Sequence, residues 1–328
     1  MTDIKSLRLI LHGKSADAPE LRDAVTGLRE LGHDLSVRVT WEAGDAHRFT
    51  QQAQHDGIDV IVSGGGDGLL NEVVNGVMQG HAPEQATLAV LPMGTANDFA
   101  TSCGIPEDLS SALNIAAHGS VQTIDLATAN DRFFINVASG GFGAQVTTTT
   151  PKILKKVLGG AAYTLMGFAG AVRGPDTNRL RIESESASYD EHLVMVAVAN
   201  GRRSGGGFEV APEARLDDGL LDATFVRDFP VSEAAVLAQE LKNPGASENR
   251  FVFTLRSSWV TLTAADGVMD FVNLDGEPSP AAHKMEFQIR PRALRMVLPE
   301  SASPLLSRKL QTVSEEQNQK SDTLSSKE

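Results

Sequence analysis

The sequence holds one cysteine, Cys103, in 328 residues. No disulfide can form within the chain, and a reducing, cytoplasmic setting is expected. Long apolar runs are also missing. A membrane-spanning helix needs about 20 of them, and the nearest candidate, Val157–Val172, is short and rich in Gly and Ala. The opening MTDIKSLRLILHG has no basic stretch followed by a long apolar one, so it reads as a first strand rather than a leader. Positive charge is in deficit: 29 Lys and Arg against 42 Asp and Glu, a net −13, which speaks against general nucleic-acid binding. The eight histidines are scattered without an H-E-x-x-H or Cys/His cluster, so zinc has little support. What remains is ordinary for a globular chain, with 41% hydrophobic and 22% charged residues and enough length for two cores.

The first 130 residues alternate strand and helix. Leu7–Leu11, Leu35–Val39, Val60–Val62 and Leu88–Leu91 are β-rich runs. Between them lie helical spacings: Leu21, Val25, Leu28 and Leu31; Ala46–Gln54; and Leu69–Met78. That order implies a doubly wound parallel sheet, whose ligand crevice lies beyond the carboxyl ends of the strands. From about residue 131 to 292 the texture changes to short strands separated by turns. They are Phe133–Val137, Leu180–Glu183, Leu193–Val198, Ala223–Val226, Phe251–Leu255, Val260–Thr263, Met269–Val272 and Glu286–Ile289. Helical patterns fall mainly at Lys152–Val172 and Ser232–Lys242. A mostly antiparallel, sandwich-like second domain is expected. The chain is expected to return to the first domain at about 293–306, and the polar stretch 307–328 to be disordered.

The chain is organised around Val60–Glu72, VIVSGGGDGLLNE. A β-branched run ends in Gly64, Gly65 and Gly66, then Asp67, Gly68 and a helix. Such a turn lets backbone N–H groups and a helix N-terminus close on a phosphate. A carboxylate there is repelled by phosphate unless a cation lies between them, which suggests a metal–nucleotide site. A plain strand-to-helix turn is the alternative. The next loop, LPMGTANDFA at Leu91–Ala100, offers Gly94 for close approach and Thr95 for a hydroxyl, while Asn97 or Asp98 could simply cap a helix. Thr40 ends the second strand on the same side of the sheet.

Four motifs in order, GGGDG with NE, LPMGTANDFA, LDDGLLD and NLDGEP, resemble the YegS-type branch of the diacylglycerol-kinase-like lipid kinases. The likeness runs from about Leu7 to Pro299. It implies an N-terminal domain of the NAD kinase/diacylglycerol kinase type, and ATP-dependent phosphorylation of a lipid hydroxyl. Nucleotide contacts would come from Thr40, from Gly64–Gly68 with Leu69, Leu70, Asn71 and Glu72, and from Gly94, Thr95 and Asn97. Asp67, Asp98 and Asp125 would organise Mg²⁺ through water, with Asp125 alternatively a plain strand-end carboxylate. Glu277 would be the general base. Arg215 and Leu220, by main chain, and the Asp218 carboxylate would form a second, structural site for Mg²⁺ or Ca²⁺. Without the other motifs, Asp275-Gly276 would be only a hairpin turn.

One departure bears on activity: Leu69 stands where the family usually has Thr or Ser. A nucleotide-binding pseudokinase, a sphingoid- or NAD-kinase-like enzyme, and a Rossmann oxidoreductase are the competing readings. The last lacks G-x-G-x-x-G. A lipid kinase must reach a bilayer, and Thr150–Arg181 carries six positive charges and one negative around an apolar stretch. That segment suits peripheral docking on the inner face of the membrane, or a core helix with basic ends. Neither the lipid nor the oligomeric state is readable.

Overall fold

The computed structural model describes residues 4–141, 179–269 and 272–306. The N-terminal domain follows the hydrophobic periods. Strands β1 (Ser6–Leu11), β2 (Asp34–Val39), β3 (Val60–Gly65) and β4 (Thr87–Pro92) pair in parallel in the order β4-β3-β1-β2. Helices α1 (Pro19–Glu30), α2 (Asp45–His55), α3 (Asp67–Met78) and α5 (Leu109–His118) flank them, with a short α4 (Asp98–Ser102) after β4. β1, β3 and β4 are buried almost end to end, as strands covered on both faces must be. α1 turns Leu21, Ala24, Val25 and Leu28 inward and gives way to Gly32, whose φ of 96° only glycine takes without strain.

The second domain is antiparallel. β7 (Val137–Gly141), β9 (Ser188–Ala199), β12 (Leu221–Arg227) and β13 (Val252–Ser257) form one layer, with β15 (Val272–Leu274) and β16 (Glu277–Ser279) at its edge. β8 (Arg179–Ser184), β14 (Trp259–Ala264) and β17 (Lys284–Leu298) continue from β9 into the other layer. A small β10 (Arg203–Ser204) and β11 (Phe208–Glu209) hairpin and helix α6 (Ala234–Glu240) complete it. Leu180, Leu193, Phe225, Val260 and Phe287 are among the apolar side chains that fill the space between the layers.

β17 joins the domains. Its first half pairs with β14, its second half with β4 in parallel, and most of its length with β5 (Ser120–Ala129), which also carries the short β6 (Arg132–Phe134). Sequence pattern gives only Glu286–Ile289 of this strand, because Pro291 interrupts it. The strand survives by a register shift between Arg290 and Leu294, with Arg292 at φ 54°. α5 and β5 also lie outside the expected elements. α5 buries Ala112, Leu113, Ala116 and Ala117, a face of small residues with little hydrophobic contrast. The helix expected over Lys152–Val172 lies outside the described residues, as do most of the basic segment 150–181 and the polar stretch 307–328. Arg179 and Arg181 of that segment are described; they sit beside Asp190 at 2.6 Å and Glu183 at 3.8 Å.

α2 and α3 touch backbone to side chain at Gly76, where an added Cβ would lie 2.9 Å from Thr50 Cβ and 3.2 Å from His47 Cα. Alanine ordinarily stabilises a helix interior by about 1 kcal/mol over glycine. Here overpacking should reverse the sign, and Gly76→Ala is expected to destabilise by about 1–3 kcal/mol. Urea denaturation checks this; a stabilised variant would contradict the packing.

Candidate active site

Two glycine loops meet at the carboxyl edge of the parallel sheet. A Cβ on Gly94 would lie 2.4 Å from Gly66 Cα, so the loops abut as bare backbone. Asn97, buried at φ 49°, staples its own loop by accepting from Gly94 N at 2.8 Å and donating to Gly94 O at 3.0 Å. Asp67, in the first turn of α3, accepts from the amides of Asp98 and Phe99, both at 3.1 Å. It thereby caps α4 across the two loops. Burial pushes the Asp67 carboxyl above its ordinary range and the Asp98 charge adds to this, while the two amides oppose it. Asp98 in turn accepts from Gly206 N at 2.9 Å and Gly207 N at 2.6 Å, in the turn between β10 and β11. Both Asx-type brackets run in series, from first domain to second.

A second bracket positions Glu277. Asp275 and Gly276 form the two-residue turn between β15 and β16, with φ of 52° and 100°, the signs of a type I′ hairpin. Asp275 is not a solvated turn residue. Its buried carboxylate accepts from Ile135 N (2.7 Å), Asn136 N and Val137 N (both 2.9 Å), and from Asn71 Nδ2 at 2.9 Å. Burial raises its pKa to about 6 against the pull of these donors. Locked in this way, the hairpin carries Glu277 over the start of α3, where a Cβ on Gly68 would lie 2.7 Å from Glu277 Oε1. A cleft of about 300 Å³ results, lined among others by Asp67, Gly68, Thr95, Asp98, Ser139 and Glu277.

A larger cavity of about 650 Å³ adjoins α3 on the β1–β2 side, lined by His12, Lys14, Thr40, Trp41, Leu69 and Glu72 among others. The Glu72 carboxyl is shifted upward, by partial desolvation first and the Glu277 charge second, with His12 opposing. Glu72 thus lines the larger cavity and is close enough to Glu277 of the cleft to feel its charge.

The expected nucleotide set divides. Thr40, Leu69 and Glu72 face the larger cavity, and Gly66, Asp67, Gly68 and Thr95 the cleft. Gly64 and Gly65 are buried under Leu11 and Leu69 side chains, Leu70 is core, and Asn71 is spent on Asp275 and the Phe133 carbonyl. Gly94 and Asn97 shape the Thr95 loop. Asn75 braces the same segment, donating to Phe133 O at 3.0 Å and accepting from Phe133 N at 3.1 Å. Sequence reading does not give Asp275, Asn71 or Asn75 as braces; the Asp-Gly turn signal is visible, but not that its carboxylate is buried.

Asp125 stands apart from Asp67 and Asp98. It is fully buried and accepts from Gly219 N at 2.6 Å and Arg292 N at 2.7 Å, pinning the β17 bulge to the 215–220 loop. Burial raises its pKa, with Asp218 and Asp217 contributing. In that loop Asp218 accepts from Leu220 N at 3.1 Å and from Arg256 at 2.6 Å, and Arg256 also reaches Asp222 at 2.9 Å. The Arg256 guanidinium thus lies against the Asp218 carboxylate, in the same loop as the main-chain groups of Arg215 and Leu220 expected to hold an ion with it. Arg215 itself donates to the Leu306 carbonyl at 3.3 Å.

The family model of the diacylglycerol kinase catalytic domain matches residues 6–129, and that of the YegS C-terminal NAD kinase beta sandwich-like domain matches residues 136–298. A Shewanella frigidimarina protein named "Probable lipid kinase YegS-like" is 42% identical over 301 residues, covering 89% of this chain and 94% of that one. The chain belongs to the YegS-like lipid kinase family. A Pseudomonas putida protein of the same name is 44% identical over 304 residues, covering 91% and 97%. Among solved structures, a Bacillus anthracis chain described as a diacylglycerol kinase matches with TM-score 0.67 at 25% identity, covering 91% of this chain and 98% of that one. A second chain from that organism gives 0.74 at 24% identity, covering 92% and 98%, and bears on the fold alone. This YegS-like kinase fold is the doubly wound domain plus antiparallel sandwich that the residue patterns imply. Among the described residues no helix is long and apolar enough to cross a membrane.

Among the described residues of this YegS-like chain, no three His, Cys, Asp or Glu side chains form a ready ligand cluster. Asp67 and Asp98 nevertheless line one cleft, each already holding two amides. That donor set fits a hydrated Mg²⁺ shared with substrate phosphates better than direct carboxylate coordination.

Removing the Asp275 carboxylate would leave three backbone amides and the Asn71 amide without it. Asp275→Ala is expected to destabilise by about 3 kcal/mol or more, measured by denaturant unfolding. Its raised pKa fixes the sign with pH: the native state holds the proton more tightly than the unfolded chain. The contribution is full below the ordinary carboxylate pKa of 3.8 and lost as pH rises through about 6. Wild type should therefore gain on Asp275→Asn as pH falls from 7 to 5. Asp222, also raised to about 6, is common to both and cancels. A pH-independent difference would contradict the assignment.

Proposed function

We propose that this kinase transfers the γ-phosphate of ATP to a hydroxyl of a diacylglycerol- or phospholipid-like lipid, with Glu277 as general base. The observation that carries the reading is the convergence of Glu277, Asp67 and the α3 N-terminus on one interdomain cleft. Phosphoryl transfer demands positioning and charge neutralisation more than covalent help from the protein. The first turn of α3 leaves backbone N–H groups without intrahelical partners and directs a partial positive charge at the cleft.

Glu277 takes the proton of the lipid hydroxyl as that oxygen bonds to the γ-phosphorus and the bond to the β-phosphate bridging oxygen breaks, releasing ADP. Asp67 and Asp98 would hold a hydrated Mg²⁺, whose role is to neutralise charge on the phosphates. Gly66, Gly68 and Gly94 keep side chains out of the phosphate path. Leu69 is turned inward against Gly65 and is buried, so the hydroxyl lost there removes one contact and leaves the backbone donors in place.

The test is transfer of labelled γ-phosphate from ATP to detergent-dispersed lipids with Mg²⁺. Glu277→Ala should lower kcat about 100-fold or more while ATP binding persists. Asp67→Ala should lose both transfer and stability, because α4 loses its cap. No lipid labelled by wild type, or full activity in Glu277→Ala, would reject the reading.

A further inference from the structure

Trp41 is 94% exposed, the most exposed large apolar side chain of the described residues, yet it lines the 650 Å³ cavity beside Thr40, Leu69 and Glu72. An indole left in water forgoes the burial that aromatic side chains usually gain. Its backbone is not loose. Trp41 N and Glu42 N both donate to Asp45 Oδ2, at 2.7 and 3.2 Å, and Thr40 N donates to Leu11 O at 2.9 Å. Asp45 is buried and is held by Arg48 from the next turn of α2. The loop thus presents the ring from a fixed base at the cavity rim. Val39, 41% exposed, and Ala43 add apolar surface there.

We propose that Trp41 is the stacking platform for the base of the bound nucleoside triphosphate. The inference rests on the ATP-dependent reading above. A base lying on the indole would place the attached triphosphate along the cavity toward Leu69 and Glu72, at the first turns of α3, and so toward Glu277. Stacking on an aromatic ring does not read hydrogen bonds and accepts any base face. Trp41 therefore contributes affinity for ATP and GTP alike, and nothing for a triphosphate without a base. A membrane contact is the competing use of an exposed Trp. The setting disfavours it, since the ring borders a concave cavity whose lining mixes Lys14 with Glu42 and Glu72 rather than a flat basic face that would draw an anionic surface.

The chain has one other tryptophan, Trp259, partly buried in β14. In a Trp259→Phe background, Trp41 is the sole indole and reports directly. Addition of Mg·ATP should quench or shift its emission, whereas Mg·tripolyphosphate should bind with little change. By calorimetry, Trp41→Ala should weaken ATP and GTP about tenfold, Trp41→Phe should restore most of that, and tripolyphosphate affinity should be unaltered in both. Unchanged ATP affinity in Trp41→Ala, with wild type binding ATP, overturns the inference and spares the kinase reading. Equal loss of ATP and tripolyphosphate also overturns it, since the loop rather than stacking would then be at fault. An emission shift on anionic vesicles and none with ATP overturns it in favour of a membrane contact. If wild type binds no ATP at all, both the inference and the reading beneath it fail.

Discussion

The architecture depends on buried or half-buried carboxylates accepting backbone N–H groups from segments distant in the sequence. Asp67 holds the start of α4, Asp98 the β10–β11 turn, Asp125 the β17 bulge, and Asp275 the entry to β7. Each satisfies two or more amides that would otherwise be buried or half-buried without partners, and leaving such groups unmade is expensive. Because the acceptor and donors come from different elements, every one of these bonds is also a geometric constraint between loops.

The same fasteners prepare the chemistry. Asp275 anchors the hairpin that carries Glu277, and Asn71 ties that anchor to α3, so Glu277 and the helix N-terminus share one hydrogen-bonded frame. The glycine loops need no side chains because Asp67 and Asn97 hold their backbones from the side. Asp67, Glu72 and Asp275 are all shifted upward by burial or desolvation, and negative charge is therefore concentrated and poorly solvated around the cleft.

Much of the fold was legible because its signals are local. The strands β1–β4 show as apolar runs, α1 and α3 as 3.6-residue periods, and the glycine loops as loss of side chains. Asp67, Thr95 and Glu277 could be named for the cleft because motif order tied them together. What stayed hidden is non-local. Nothing around Asp125 in TIDLA says that its partners are Gly219 and Arg292, nor does LDG reveal that Asp275 reaches Ile135–Val137. The resemblance implies Asn71 as a nucleotide contact, and sequence spacing does not show that its amide also donates to Asp275 and the Phe133 carbonyl. The exposure of Trp41 is hidden for a related reason, since nothing in the residues around it says that the ring stays in solvent.

The claim that carboxylate–amide brackets assemble this site is tested most directly by residue-resolved hydrogen exchange. Under native conditions the amides of Asp98, Phe99, Ile135, Asn136, Val137, Gly206 and Gly207 should exchange as slowly as those of the neighbouring strands. In Asp98→Ala, Gly206 and Gly207 should lose that protection while Ile135–Val137 keep theirs. Exchange of these amides at free-loop rates in the wild type would contradict the account.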